Sequence, residues 1–320
     1  MTIVNTITEE QSATVSPGLR LQATMAAARV GFTWFGVRKT LTPAQKAQAA
    51  EAFGAEDHYL SAAKKLLDTR CQGFQAVTAV RNSILAYWRG MSLPYPEPGI
   101  RLVRQHSIEP FNQHMTEMRQ ELIEAVEALD RQLPDLKEDA RRQLGELYNP
   151  ADYPPSLRDL FAVEWDFPSV EPPEYLLQLN PRLYEQQRQL MVSRFEEAVQ
   201  MAEQAFAEEF GKLVAHLTER LTGADDGKPK VFRDSVVGNL QEFFERFRSL
   251  NVRSNEELDR LVETAQRALR GVAPQDLRDS QGLRQQIAAR LGSLQSSLDA
   301  LLVDRPRRRI LRPSGQEEGA

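Results

Sequence analysis

Residues 181–221 constrain the fold more than any other part of the chain, because their pattern is that of one long helix. Their apolar residues recur every three or four positions, as they do along one face of a helix. From Phe195 the steps are 4, 3, 4, 4, 3, 4 and 4, through Val199, Ala202, Phe206, Phe210, Leu213, Leu217 and Leu221. A repeat every three turns of this kind predicts nearly straight packing. The helix would measure about 60 Å at 1.5 Å per residue, so we expect an elongated molecule.

A second strong helix is predicted over residues 105–133. Its apolar residues alternate steps of three and four, which is the heptad seam of a coiled coil. They are Ile108, Phe111, Met115, Met118, Leu122, Ala125 and Leu129. Such a seam needs a partner helix, either in this chain or in another copy of it. Further helices are predicted from Thr42 with a pause near Gly54, from Asp57 through Leu67, over 74–88, 136–147 and 232–247, from Ser254, and over 283–303.

These patterns predict an all-α fold: an elongated helical bundle with long coiled-coil-like helices and a proline-rich aromatic loop. Within residues 19–41, the apolar residues between Val30 and Val37 form either a short strand or a buried loop. We divide the chain into an extended or mixed segment 1–41, a helical bundle 42–148, a proline-rich loop 149–180, a bundle on the long helix 181–304, and a basic then polar tail 305–320.

Six prolines within residues 149–173 prevent a continuous helix there; they are Pro150, Pro154, Pro155, Pro168, Pro172 and Pro173. Because aromatic residues share this segment, we expect an ordered loop with a short helix over 156–163. The aromatic side chains either dock on the helices of the protein itself or present a stiff surface to a partner. Tyr153, Trp165 and Phe167 are therefore the candidate partner-binding residues.

A cluster of arginines near the C-terminus stands out against the net charge of −5. Its members are Arg305, Arg307, Arg308, Arg309 and Arg312. Such a cluster could neutralise about four or five phosphates in a salt-dependent way, which makes these residues the candidate nucleic-acid contacts. The alternatives are a solvated tail and a tail docked on the acidic body of the protein.

The sequence lacks the motifs of common enzymes and metal sites. The four histidines, at 58, 106, 114 and 216, have neither H-E-x-x-H nor E-x-x-H spacing, and Cys71 is the single cysteine. We therefore expect no cofactor, no metal and no catalytic activity. If a novel site existed, the first candidates by position in unusual loops would be Arg101, Arg104, Asp152 and Asp166. The lone cysteine and the polar N-terminus indicate the cytoplasm, and no apolar stretch is long enough to span a membrane.

Two short motifs resemble an uncharacterised family of helical proteins encoded by phages and mobile elements. They are Trp34-Phe35-Gly36-Val37-Arg38-Lys39 and Ala63-Lys64-Lys65-Leu66-Leu67-Asp68, and the resemblance covers mainly residues 30–130. Members of that family tend to be encoded beside MoxR-type AAA+ ATPases and von Willebrand A-domain proteins. The resemblance implies an adaptor or assembly protein that works with an ATPase, and it implies no catalytic residues. We therefore expect a non-enzymatic scaffold or adaptor that binds a protein partner or itself, with a nucleic-acid-associated protein as the alternative.

Overall fold

A computed structural model describes residues 16–222 and 235–303 of the chain. The strands are β1 (Met25–Thr33), β2 (Arg38–Thr40), β3 (Ala63–Lys65), β4 (Ser92–Pro94), β5 (Ile100–Arg104) and β6 (Ala162–Asp166). The helices are α1 (Pro17–Thr24), α2 (Pro43–Ala52), α3 (Gln72–Gly90), α4 (Ile108–Arg131), α5 (Leu133–Leu144), α6 (Tyr175–Leu179), α7 (Pro181–Thr222), α8 (Ser235–Leu250), α9 (Glu256–Leu269), α10 (Pro274–Asp279) and α11 (Gln281–Val303).

The expected all-α fold is wrong, because the described part of the chain contains two β-sheets. One has four strands in the order β4-β5-β1-β6, and the other pairs β2 with β3. Strand β1 lies at the centre of the larger sheet and pairs antiparallel with β5 and β6. Of the apolar residues between Val30 and Val37, Val30 and Phe32 lie in β1, whereas residues 34–37 connect β1 to β2, so the strand alternative holds for the first part of that run.

The chain divides into two compact units. The sheet unit comprises Met25–Ser92 and Glu97–Val170, and the helical unit comprises Met1–Thr24, Leu93–Pro96 and Glu171–Ala320.

In the sheet unit, α3 and α4 pack together and share one hydrophobic core with the larger sheet. Ala28 and Val30 of β1 belong to this core, together with the buried residues of the α4 seam. At Gly73, α3 approaches α4 closely, since an added Cβ would lie 3.0 Å from Cδ1 of Leu129. The seam is thus covered within this chain by a helix, a sheet and a loop, and the structure shows no long coiled coil in the residues that it describes.

Two segments of the sheet unit depart from the predicted helices. Residues 57–67 form a short 3-10 turn, Asp57–Tyr59, followed by β3 rather than a helix. The proline-rich loop contains 3-10 turns at Pro150–Asp152 and Arg158–Leu160, and then strand β6. Strand β6 was not predicted, because it is five residues long and is flanked by prolines.

The helical unit is built on α7, which spans 42 residues and agrees with the predicted long helix. Helix α11 packs along α7, and α1, α6 and α8 also contact it. A group of phenylalanine rings fills the contact between α7 and α8, with centroids 5.1–6.3 Å apart; they are Phe206, Phe210, Phe243, Phe244 and Phe247. Phe195, Phe206 and Leu217, which follow one another at eleven-residue intervals, are buried.

Candidate functional site

The most unusual group of charges lies on the ribbon of β2 and β3. Lys39 of β2 is the register partner of Lys64 of β3, so the two ammonium groups lie on the same face. Asp152 separates them: its Oδ1 accepts a hydrogen bond from Nζ of Lys39 at 2.7 Å, and its Oδ2 lies 2.6 Å from Nζ of Lys64. The Lys64 ammonium also donates to the carbonyl of Leu147 at 2.6 Å. The carboxylate therefore holds together two like charges that would otherwise repel each other.

Burial makes this contact stronger than a surface ion pair. The side chains of Lys64 and Asp152 are only 6% and 4% exposed, whereas that of Lys39 is half exposed. Hydrogen bonds from Lys39 and then from Lys64 hold the pKa of Asp152 below its ordinary value of 3.8. The carboxylate is thus held in its charged form.

Tyr153 follows Asp152 and belongs to the core of the sheet unit. Burial raises its pKa to about 12, with smaller contributions from Tyr148 and Asp152. Its hydroxyl has no hydrogen-bond partner among the described residues. This candidate partner-binding residue therefore docks on the protein's own core.

The opposite face of the ribbon carries a second pair of cations. Arg38 and Lys65 are register partners, and both are exposed. No ion pair or hydrogen bond of either side chain is found among the described residues, although Lys65 lowers the pKa of nearby Asp68 as a minor contribution beside Arg70. Two like charges directly across a ribbon repel each other. Unlike Lys39 and Lys64, neither Arg38 nor Lys65 has a carboxylate of the described residues within ion-pair distance.

The connection between β2 and β3, residues 41–62, displays large apolar side chains to solvent. It is closed at its base by a hydrogen bond from N of Leu41 to O of Ala62 at 3.1 Å. Its helix α2 begins with a capping box, in which Thr42 and Gln45 bond each other's backbone amides. Phe53 and Tyr59, beyond the end of α2, are each 83% exposed. Aromatic side chains this exposed are costly in water and favourable in an interface.

The other two candidate aromatic residues, Trp165 and Phe167, pack against side chains of α4. Trp165 donates from Nε1 to Oδ1 of Asn112 at 2.9 Å, and the guanidinium of Arg119 lies 5.0 Å from its ring centroid. Phe167 packs edge-on against Phe111 but stays 38% exposed. The loop is thus docked internally, and of the three aromatics Phe167 leaves the most surface free.

A second apolar surface belongs to the helical unit, over α6 and the first turns of α7. We call it the leucine ridge; its residues are Tyr175, Leu177, Leu179, Leu183 and Leu190. Leu179 is 77% exposed and the others are 37–60% exposed. Exposed apolar side chains that form one patch mark interaction surfaces, and these five lie within 16 residues of the chain.

The four residues first considered for catalysis serve different local roles. Asp166 makes two hydrogen bonds to Arg29, its register partner, and Nε of Arg101 donates to Oγ of Ser92 at 2.7 Å. Arg104 ends β5, and Asp152 lies between the two lysines. Within the described residues, no group of three His, Cys, Asp or Glu side chains is arranged to hold a metal ion. The candidate nucleic-acid residues, 305–312, lie outside the described residues.

Comparison with models of protein families, with curated proteins and with solved structures found no match to this chain. None of the helices described over residues 16–222 and 235–303 is long and apolar enough to cross a membrane.

Sequence reasoning missed the two cation pairs and the exposed aromatics Phe53 and Tyr59. The available signal was the pair of basic doublets, Arg38-Lys39 and Lys64-Lys65, on either side of a capped helix.

Proposed function

We propose that the chain is a non-enzymatic adaptor or scaffold protein that binds protein partners through exposed apolar side chains. The observation that carries this proposal is the exposure of Phe53 and Tyr59, 83% each, on the connection between β2 and β3. Tyr and Phe anchors that enter a pocket of the partner supply much of the binding energy of protein interfaces.

The leucine ridge supports the scaffold aspect of the proposal. An adaptor needs two separate surfaces, and each unit of this chain has an apolar surface of its own. The ridge lies on α6 and α7 of the helical unit, whereas Phe53 and Tyr59 belong to the sheet unit. We propose that the ridge serves a second partner or a second copy of the chain. The resemblance of residues 34–39 and 63–68 makes an AAA+ ATPase the partner class that we propose, in the cytoplasm.

The test uses the tagged full chain as bait in a lysate of its native host, with and without nuclease. Phe53→Ser/Tyr59→Ser should remove a stoichiometric protein partner that survives nuclease treatment. The ridge variant Leu179→Ser/Leu183→Ser should remove a different partner or lower the mass of the particle in light scattering. Ile123→Ser, which replaces a half-exposed apolar residue on α4, is the control and should change nothing. Retention of all partners by both double variants would refute the proposal.

The alternative function, nucleic-acid association, is supported by the five arginines at 305–312. In that case the captured partners should be lost on nuclease treatment, and deletion of residues 305–320 should abolish affinity for DNA or RNA. A protein partner that is retained by the truncated chain would favour the adaptor proposal.

A further inference from the structure

The ribbon of β2 and β3 carries two cross-strand cation pairs, and among the described residues only one of them has a carboxylate within ion-pair distance. On one face, Asp152 lies within 2.7 Å of both Lys39 and Lys64. Successive side chains of a strand point to opposite faces, so Arg38 and Lys65 form the matching pair on the other face. The pair of Lys39 and Lys64, which we call the inner pair, therefore shows which chemical group neutralises two such cations. It is a single carboxylate that accepts hydrogen bonds from both strands.

We propose that Arg38 and Lys65 bind a carboxylate side chain of a protein partner. This inference rests on the proposed adaptor function and names the chemistry of the partner surface. The planar guanidinium of Arg38 can hold both oxygens of a carboxylate, and the Lys65 ammonium adds a point charge from the neighbouring strand. A partner carboxylate at this position removes the repulsion between the two cations, as Asp152 does on the inner face.

The charges beside the ribbon favour a protein over a nucleic acid. The connection between the two strands carries three exposed acidic residues, Glu51, Glu56 and Asp57, around the exposed rings of Phe53 and Tyr59. A phosphate backbone presents negative charge along its whole length, so it would be repelled by these carboxylates. A protein surface can offer one acidic residue to the ribbon and an apolar pocket to the aromatic rings.

The test measures fluorescence anisotropy of a labelled, end-blocked peptide with a single carboxylate, Gly-Leu-Leu-Glu-Leu-Gly, added to the purified full chain. Arg38→Ser/Lys65→Ser should weaken binding by about tenfold or more, because two charge-assisted contacts are lost. The matched control is Arg141→Ser/Arg142→Ser, which removes two positive charges from exposed positions of α5 in the same unit. It should bind the peptide like the unmodified chain. Arg38→Lys/Lys65→Arg keeps both charges and should keep most of the affinity.

A second arm uses a labelled oligothymidylate at the same ionic strength. Equal peptide affinity in the two serine double variants, or no peptide binding by the unmodified chain, would overturn the proposal. So would an oligothymidylate that binds more tightly than the peptide and is lost in Arg38→Ser/Lys65→Ser, since the anion would then be a phosphate. These outcomes are separate from the adaptor test, which depends on Phe53→Ser/Tyr59→Ser and on captured partners.

Discussion

Lys64 and Asp152 form an ion pair at 2.6 Å although neither side chain is more than 6% exposed. Removing two charges from water is expensive, and the attraction between them offsets that cost only when the geometry is good. Here the remaining bonding capacity is used as well, because Lys64 donates to Leu147 and Asp152 also accepts from Lys39. The pair ties the turn Pro150–Asp152, at the start of the proline-rich loop, to the ribbon of β2 and β3.

Replacement of Asp152 should therefore destabilise the sheet unit strongly. Asp152→Ala leaves Lys64 buried without a counter-ion and facing Lys39, and the loss of one partner of a buried pair costs about 3–5 kcal/mol. We expect a loss near the lower end of this range, because the half-exposed Lys39 can move its charge towards solvent. Urea unfolding gives the size of the loss, and hydrogen exchange of the ribbon amides gives its location. Asp166→Ala, which breaks the exposed pair with Arg29, should change the urea midpoint little.

The same carboxylate should make the ribbon sensitive to acid. The pKa of Asp152 is lower in the folded chain than its ordinary value of 3.8, first through the hydrogen bond from Lys39 and then through that from Lys64. The unfolded state therefore binds the proton more readily, so the stabilisation is fully present above pH 3.8 and is lost as the pH falls below that value. Hydrogen exchange of the ribbon at pH 5 and at successively lower pH values measures this loss. In Asp152→Asn the ribbon should show much weaker acid dependence, and an unchanged profile would contradict the assignment.

Tyr153 should make the sheet unit less stable at alkaline pH, whereas Asp152 does so at acid pH. Burial first, then Tyr148 and Asp152, raise its pKa to about 12 from 10.0. Its neutral form is thus favoured by folding, and the stabilisation present below pH 10 is lost as the pH rises through about 12. Ultraviolet titration should show a tyrosine that ionises near pH 12, and Tyr153→Phe should remove that component. Because the hydroxyl has no hydrogen-bond partner among the described residues, this substitution should cost less than about 1 kcal/mol. A large loss of stability would reveal a partner for the hydroxyl.

The long helices were predictable because each buries a continuous stripe of its own sequence. In α7 the buried residues, from Met191 to Leu221, are spaced mainly by three and four positions, although Val214 is buried where Leu213 was expected. The start of α2 was equally local, since Thr42 and Pro43 form its cap and first turn. Even so, α9 begins after Asn255, whose side chain accepts from N of Leu258, rather than at the expected Ser254 cap.

The strands were missed for physical reasons that differ from one strand to the next. Residues 26–28 of β1 are three alanines, a helix-favouring run. Strand β1 has buried side chains on both faces: Met25 and Ala27 on one face, and Ala28 and Val30 on the other. The alternation of polar and apolar residues that identifies a half-exposed strand is then lost. Strands β2 and β3 have three residues each, too few for any period to show.

The candidate site could not be assembled from sequence, because its charges meet only through tertiary structure. Lys39 and Lys64 are neighbours because β2 pairs with β3 in that register. Asp152 contacts them although α3, α4 and α5 separate it from Lys64 in the sequence. Sequence position placed Asp152 in an unusual loop but gave no partner for it. The exposure of Phe53 is likewise a property of the fold, since the same residue within a packed helix would be buried.

The proline-rich loop should come loose when Asp130 is replaced. Near the end of α4, this carboxylate accepts from N of Leu157 at 2.7 Å and from Oγ of Ser156 at 3.1 Å, and it lies 3.4 Å from Nε of Arg158. Asp130→Ala removes all three contacts and leaves the Leu157 amide without its acceptor, which costs about 1–3 kcal/mol. The buried side chain of Leu157 should then separate from the core more often, which exposes the peptide bond after Arg158.

Limited trypsin digestion measures this opening directly, with the cleavage product identified by mass spectrometry. Cleavage after Arg158 should accelerate several-fold in Asp130→Ala, in line with the larger population of the open loop. Asp139→Ala, on the exposed side of α5, removes an acidic residue that pairs with Arg142 at the surface and should leave the rate unchanged. Equal rates in the two variants would mean that the loop is held by its apolar side chains, Leu157 and Phe161, and not by the Asp130 carboxylate. Leu157→Ala would then be the substitution that releases it.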